Sequence, residues 1–302
     1  MIPARKNEID AVIVTYHPDL KLLHRCVESL ASQVRYIFLV DNTPCGPAGL
    51  EEFLLSHPVE MITVGDNKGI AYAQNLGIKK STERGSRYIL LSDQDTIYPE
   101  KYAENMLSAM DSIEGRVAAI APLFTDTRRQ GEVQWFIKKS LWGFSKFYPK
   151  SGLYEVFHVI ASGMIANTEY LNDIGLMDDD LFMDWVDLRW CWKAQKKGYK
   201  IIGNADVLII HQLGDKALNL WFRKVNLRDP IRHYYITRNA FHLALRCDSL
   251  DVPHRIILFF KAFRYVVGYP LLSGAHSVHL KYILLAFWHG ICGKLGKLHG
   301  TN

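Results

Sequence analysis

Two carboxylates one residue apart, Asp93 and Asp95, follow directly on the apolar run Tyr88-Ile89-Leu90-Leu91-Ser92. A strand-forming run of this kind carries its trailing residues to the edge where an α/β sheet ends and its ligand crevice opens. Paired carboxylate oxygens suit a hard divalent cation, Mg2+ or Mn2+, which keeps positions open for substrate phosphate. The chemistry implied is the handling of a nucleotide diphosphate. Alone, the pair is weak evidence and reads better as a turn or a helix cap, both common uses of aspartate. Three further polar clusters follow apolar runs upstream: Thr15-Tyr16, Asp41-Asn42-Thr43 and Asp66-Asn67-Lys68-Gly69. In a parallel sheet all four clusters meet on one edge, so the joint pattern is more specific than any member.

The elements that position these groups are legible from Ile9 to Pro122 as alternating strands and helices. Strands are expected at Ile9 to Thr15, Tyr36 to Val40, Val59 to Val64, Tyr88 to Ser92 and Val117 to Ala121. Helices are expected at about Leu20 to Gln33, Gly69 to Thr82 and Pro99 to Ile113. This order predicts an α/β fold with a mostly parallel central sheet and helices on both faces. Residues 123 to 155 break the rhythm with Trp135, Phe136, Trp142, Phe144, Phe147 and Tyr148, an aromatic set that fits an acceptor-binding flap or an insertion packed on the sheet. The pattern resumes with Val156 to Ala161, a helix from Asp187 to Lys197 closed by Gly198, and a strand from Lys200 to Ile210. Residues 1–215 read as the catalytic domain, with a donor half at about 9–122 and an acceptor half at 123–215; residues 216–302 read as a helical region.

The 302 residues carry 36 Lys and Arg against 31 Asp and Glu, yet no acidic residue follows Asp251. Arg255, Lys261, Arg264, Lys281, Lys294 and Lys297 make the tail basic, among Phe, Tyr and Trp. Interfacial helices use that mixture against anionic lipid, and the longest uncharged stretch, Tyr265 to Leu280, is shorter and more broken than a spanning helix. The tail is expected to lie on a membrane; helices packed on the catalytic domain or on a second subunit are the alternative. The N-terminus lacks an apolar signal core, and the five cysteines form no C-x-x-C pair, so a reducing cytosol is expected. A dinucleotide-dependent oxidoreductase is disfavoured, because Thr15-Tyr16-His17-Pro18 replaces the glycine loop that such cofactors need.

The segments Val12-Ile13-Val14-Thr15-Tyr16, Val40-Asp41-Asn42, Asn67-Lys68-Gly69-Ile70-Ala71-Tyr72-Ala73-Gln74-Asn75-Leu76-Gly77 and Leu91-Ser92-Asp93-Gln94-Asp95-Thr96 closely resemble the GT-A family 2 inverting glycosyltransferases. Ser92-Asp93-Gln94-Asp95-Thr96 is most similar to their bacterial rhamnosyltransferase branch, which builds O-antigen and other surface polysaccharides. Downstream, Leu181 to Lys193 resembles the branch's acceptor-side block, His211-Gln212-Leu213-Gly214 its His-x-x-Gly element, and Tyr234 to Asn239 its Tyr-Arg-Asn segment. Two departures stand out: His17 occupies a position where Asn is common, and Lys193 one where Arg is usual.

The resemblance implies a metal-dependent inverting enzyme, moving rhamnose from dTDP-rhamnose to a lipid-linked saccharide at the inner face of the cytoplasmic membrane. Transfer of another hexose from a UDP-sugar is the runner-up, and a non-catalytic membrane scaffold the reading from a different class. Thr15, Tyr16, Asp41, Asn67, Gly69, Asn75, Asp93 and Gln94 are expected on the donor, with Asp95, Asp93 and His211 at the metal. Arg238 fits either a phosphate contact or an anchor between tail and core. An inverting displacement needs one base opposite the diphosphate. Asp184 and Asp187, three apart, can share a helix face. Asp187 matches the family's base position, with Asp184 in support, while Asp178, Asp179 and Asp180 are expected to form a solvated turn. No nucleic-acid partner is expected, and an oligomer through the C-terminal helices is compatible with the tail.

Overall fold

The computed structural model describes residues 5–46, 58–126, 133, 135–140, 143–211, 216–220, 223–227, 229–272 and 276–299. Four strands, β1 (Ile9–Thr15), β2 (Ile37–Asp41), β3 (Val59–Thr63) and β4 (Tyr88–Asp93), run parallel as their apolar runs predict. Their register aligns Thr15 with Asp41, Asp41 with Thr63, and Val14 with Asp93. Beyond them lie β9 (Met164–Asn167), β5 (Val117–Asp126), β10 (Lys200–His211) and β8 (Leu153–Glu155), completing the order β3-β2-β1-β4-β9-β5-β10-β8. β9 is antiparallel to both of its neighbours, and β8 to β10; every other pairing is parallel.

Alternation along the strands sorts the core into two layers. Ile9, Ala11 and Ile13 face α1 (Leu20–Ala31) and α3 (Tyr102–Asp111). Val12, Phe38 and Leu91 face α2 (Ile70–Glu83) and α5 (Val186–Lys196). Between α2 and α5 in the chain lies the single turn α4 (Leu171–Ile174). Asp19 caps α1 by accepting from the amides of Lys21 and Leu22. Gly77 lets α2 settle onto β1, since a Cβ there would stand 2.3 Å from Val12 Cγ1. Asp10, a fully buried carboxylate of β1, is satisfied by Arg35 at 3.0 and 2.9 Å and by Ser81 Oγ at 2.8 Å.

The segment Val156 to Ala161, expected to resume the strand pattern, forms no ladder; the strand is β8, just upstream. The segment's backbone makes single bonds to neighbouring strands, Val156 N to Ile201 O at 2.9 Å and Phe157 N to Ile137 O at 2.7 Å, and side chains of α5 supply others. Gln195 Nε2 donates to Val156 O at 2.8 Å, and Phe157 stacks on Trp192 with centroids 5.9 Å apart. Of the aromatic insertion, β6 (Phe136–Ser140) and β7 (Gly143–Phe147) form a hairpin. Phe136 is buried against Gly203, where a Cβ would approach its ring to 2.6 Å, so this part packs on the sheet. Trp142 lies outside the described residues.

A second hairpin, β11 (Lys216–Leu220) and β12 (Arg223–Leu227), leads to three mutually packed helices: α6 (Pro230–Arg246), α7 (Val252–Leu272) and α8 (His276–Cys292). Their core is continuous with α5: Phe241, Leu243, Leu258 and Ala262 share a cluster with Trp192 and Phe157. Arg189 on α5 ties the join, bonding Asp178 at 3.1 Å, Ser249 Oγ at 2.6 Å and Asp248 at 2.9 Å.

Candidate active site

All four polar clusters do meet at the carboxyl ends of β1 to β4. Thr15 Oγ1 donates to Asp41 Oδ1 at 2.9 Å, and the amide of Thr43 reaches the same oxygen at 3.3 Å. Asp41 is fully buried, and among the described residues its Oδ2 has no hydrogen-bond partner. An acceptor held dry in that way costs about 1–3 kcal/mol until a donor reaches it. The second and third loops are joined by side-chain amides: Asn42 Nδ2 donates to Asn67 Oδ1 at 3.0 Å, and the amides of Lys68 and Gly69 donate to Asn42 Oδ1 and Asn67 Oδ1, each at 3.0 Å.

The turn carrying Asp93 and Asp95 is pinned on both sides. Gln94 reads the backbone of Tyr16, accepting from its amide at 2.8 Å and donating to its carbonyl at 3.3 Å. Gln94, expected on the donor, thereby ties the first loop to the fourth. On the other side Ile97 exchanges backbone hydrogen bonds with Ile210 at 3.0 and 3.3 Å, and Thr96 Oγ1 bonds Ser162 Oγ at 2.8 Å. The backbone of His211 therefore ends β10 beside this turn, while its side chain lies outside the described residues. Among the described residues no group of three or more His, Cys, Asp and Glu gathers as a metal cage. The pair Asp93 and Asp95, both partly buried, still fits Mg2+ or Mn2+, ions held by one or two carboxylates with phosphate and water filling the rest.

Facing this edge is the loop 181–185, whose backbone is strained. Phe182, Asp184 and Trp185 have φ of 65°, 57° and 69°, a region that non-glycine residues seldom occupy and that costs about 1–3 kcal/mol each. Buried hydrogen bonds from α6 hold it there. Asn239, fully buried, donates from Nδ2 to the carbonyls of Leu181, Met183 and Asp184 at 2.9, 2.8 and 3.1 Å. Arg238, 1% exposed, donates to Leu181 O at 2.9 Å and Gly296 O at 2.6 Å and lies over the Tyr235 ring at 4.8 Å. Of its two sequence readings, the anchor is the one these bonds describe. Phe182 stacks on Tyr235 with centroids 4.7 Å apart, and Trp185 Nε1 donates to Ile236 O at 3.0 Å.

Gly69 and Asn75 serve the same loop from the donor side. Gly69 adopts φ +92°, and a Cβ there would lie 2.5 Å from Phe182 O, the atom that accepts from the Ile70 amide at 2.8 Å. Asn75 brackets the preceding turn, donating to Met177 O at 2.9 Å, accepting from its amide at 3.0 Å, and bonding Asp179. Both were expected on the donor; their contacts join the two halves of the site. Asp178 is no solvated turn residue, since it accepts from Arg189 at 3.1 Å and from Lys193 at 2.8 Å. Lys193 also donates to Leu176 O at 2.9 Å, so lysine fills the supporting place where arginine is usual.

Asp187 enters from the first turn of α5. Its Oδ2 accepts from the Ala161 amide at 3.0 Å and its Oδ1 from the Leu188 amide at 2.9 Å. Burial pushes its pKa from an ordinary 3.8 up to about 6, against those two amides, and the charges of Asp93 and Asp184 push the same way. A carboxylate so placed is ionised at neutral pH yet basic enough to take a hydroxyl proton. Asp184 differs: its Oδ2 lies 3.4 Å from Arg232 Nε. Sequence reasoning missed three partners here, Ala161, Arg232 and the brace role of Asn239. A signal existed for the last, a neutral amide on the buried face of α6, which must find partners somewhere in the core.

A mostly parallel sheet with Asp93 and Asp95 at the edge of its strands, and the partly buried Asp187 in electrostatic reach of Asp93, is the arrangement of a glycosyltransferase of GT-A fold. Residues 10–175 match the family model described as Glycosyl transferase family 2, and the chain belongs to that family. It is 32% identical over 255 residues to the dTDP-rhamnosyl transferase RfbF of Shigella flexneri, covering 78% of this chain and 80% of that one. Among solved structures, S. aureus TarS 1-349 in complex with UDP-GlcNAc superimposes with a TM-score of 0.62 at 14% identity, over 94% of this chain and 81% of that one. GalNAc-T7 with UDP, GalNAc and Mn2+ gives 0.59 at 13% identity, over 92% of this chain and 54% of that one. At such identities the likeness is one of fold.

Proposed function

We propose that this glycosyltransferase is an inverting rhamnosyltransferase, using dTDP-rhamnose and a lipid-linked saccharide acceptor in the assembly of O-antigen or a related surface polysaccharide. The observation that carries the transfer chemistry is Asp187, held by two amides within electrostatic reach of Asp93, with burial raising its pKa to about 6. The choice of sugar and nucleotide is supported by the identity to the S. flexneri enzyme.

In this reading Asp41 Oδ2 receives a donor group from the nucleoside, supplying the partner it lacks among the described residues. Tyr16, half exposed and fixed through its backbone by Gln94, lines the same end of the crevice. Asp95, with Asp93, would hold Mg2+ or Mn2+, whose chemistry is to offset the charge that builds on the departing diphosphate. Asp187 accepts the proton of the acceptor hydroxyl as its oxygen bonds to the anomeric carbon. The bond from that carbon to the diphosphate breaks with its electron pair on dTDP, and the configuration inverts. Asp184, beside Arg232, supports the acceptor.

The test is release of dTDP from labelled dTDP-rhamnose by the purified chain with Mg2+ or Mn2+ and a lipid-linked saccharide. The reading expects turnover by the native protein and its loss in Asp95→Asn, with weakened nucleotide binding. No turnover with any acceptor, together with unchanged nucleotide affinity in Asp95→Asn, would refute it.

A further inference from the structure

Of the three C-terminal helices, α6 is buried almost throughout, whereas α7 and α8 each bury one side and leave a second, apolar side uncovered. On α7 the exposed residues Val252, Ile256, Phe260, Phe263, Val267 and Leu271 recur every three or four positions, a continuous stripe along one face. Phe260 is 65% and Leu271 70% exposed, whereas His254, Leu258 and Ala262 on the opposite face are buried. α8, packed against α7, repeats the pattern with Leu280, Leu284 and Trp288, the last 62% exposed. Single exposed apolar residues are ordinary on soluble surfaces, but two adjoining stripes of this length are not.

The charges beside the stripes are all of one sign. Arg264, Lys281 and Lys294 are exposed, and among the described residues their side chains have no hydrogen bond or ion pair. Other tail cations are used internally: Arg255 caps α6 through Ala244 O, and Lys297 pairs with Asp66 at 2.7 Å. No helix of the described residues is long and apolar enough to cross a membrane. We propose that the outer faces of α7 and α8 are a docking surface for an anionic lipid bilayer, on which they lie in the interfacial plane.

Three features favour that occupant. Apolar side chains flanked by exposed cations complement acyl chains beneath anionic headgroups. A second copy of this chain meeting face to face across a two-fold axis would set those cations against themselves, with no carboxylate on either helix to answer them. The surface also adjoins the catalytic loop, because Lys261 of α7 sits over the Trp185 ring at 5.3 Å. Docking would therefore bring the acceptor side of the site to the lipid, where a lipid-linked saccharide is presented. That consequence rests on the acceptor class proposed above, while the docking surface itself does not.

Co-sedimentation of the full chain with vesicles tests it without recourse to sugar transfer. The protein should pellet with vesicles of phosphatidylglycerol and phosphatidylethanolamine, and far less with phosphatidylcholine alone. The pair Phe260→Glu and Leu284→Glu, both at exposed positions, should lower the partition by about tenfold or more. The triple change Arg264→Gln, Lys281→Gln and Lys294→Gln should lower binding to the anionic vesicles selectively. The proposal is overturned if the native chain stays in the supernatant, or if both variants pellet like the native chain. It is equally overturned if the double variant merely converts a dimer to a monomer in analytical ultracentrifugation with no change in vesicle binding.

Discussion

The two sides of the crevice are built by different physics. On the donor side, four loops follow four adjacent parallel strands, and ladder register alone sets Thr15 beside Asp41 and Val14 beside Asp93 at one edge. On the acceptor side, the loop 181–185 has no ladder and an unfavourable backbone, and is held by Asn239 and Arg238 from a helix more than fifty residues downstream. A register-built site tolerates the loss of one linking side chain, whereas a strained loop held by a few buried bonds does not. The bundle therefore has a task besides any contact with lipid, which is to keep Asp184 and the start of α5 in place.

The sharpest way to break this contrast is at the seam between the two sides. Gly69→Ala would place a methyl group 2.5 Å from Phe182 O and force alanine into a region open only to glycine. A cost of about 3 kcal/mol or more is expected, read as a large fall in Tm and in transfer. Near-native stability would mean that the loop is not seated as described. Asn239→Ala removes a donor from the carbonyls of Met183 and Asp184, while Leu181 O keeps Arg238, and should cost about 1–3 kcal/mol. Its kinetic signature is a lower kcat with the donor KM little changed; a defect confined to the donor KM would place the brace on the wrong side of the crevice.

Protonation gives a third, smaller effect. The folded pKa of Asp187 lies above its ordinary value, so the ionised base is lost as pH falls, and kcat should drop about tenfold per unit below about pH 6. For stability the sign is opposite, because a raised carboxylate pKa favours the protonated folded state and stability declines as pH rises from about 4 to about 6. Asp187→Asn at neutral pH should therefore keep or raise Tm. A clear fall in its Tm would show that the carboxylate is structural. The smallest effect is expected for Gln94→Ala, which loosens Tyr16 and should raise the donor KM a few-fold with kcat unchanged, costing about 1 kcal/mol.

The same contrast explains what could be read from the chain before its fold was known. The strand-end clusters were legible because periodicity locates strands, and parallel strands put their carboxyl ends on one edge. A helix end was legible where a glycine marks it, as Gly198 does after α5. Contacts between distant segments were not. Nothing local shows that Asn75 and Gly69 face the 177–182 turn, that Arg238 spends its donors on carbonyls, or that Val156 O is met by Gln195. The pairing of Asp187 with Ala161 and of Asp184 with Arg232 is of the same kind, set by tertiary packing that leaves no periodic trace.

The most direct test of the account is a single-turnover measurement on Asp187→Asn, with donor affinity measured in parallel. Loss of transfer by a factor of about 10²–10⁴ is predicted, with nucleotide-sugar affinity unchanged. Transfer at the native rate in Asp187→Asn, together with its loss in Asp184→Asn, would contradict the account and give the base to Asp184.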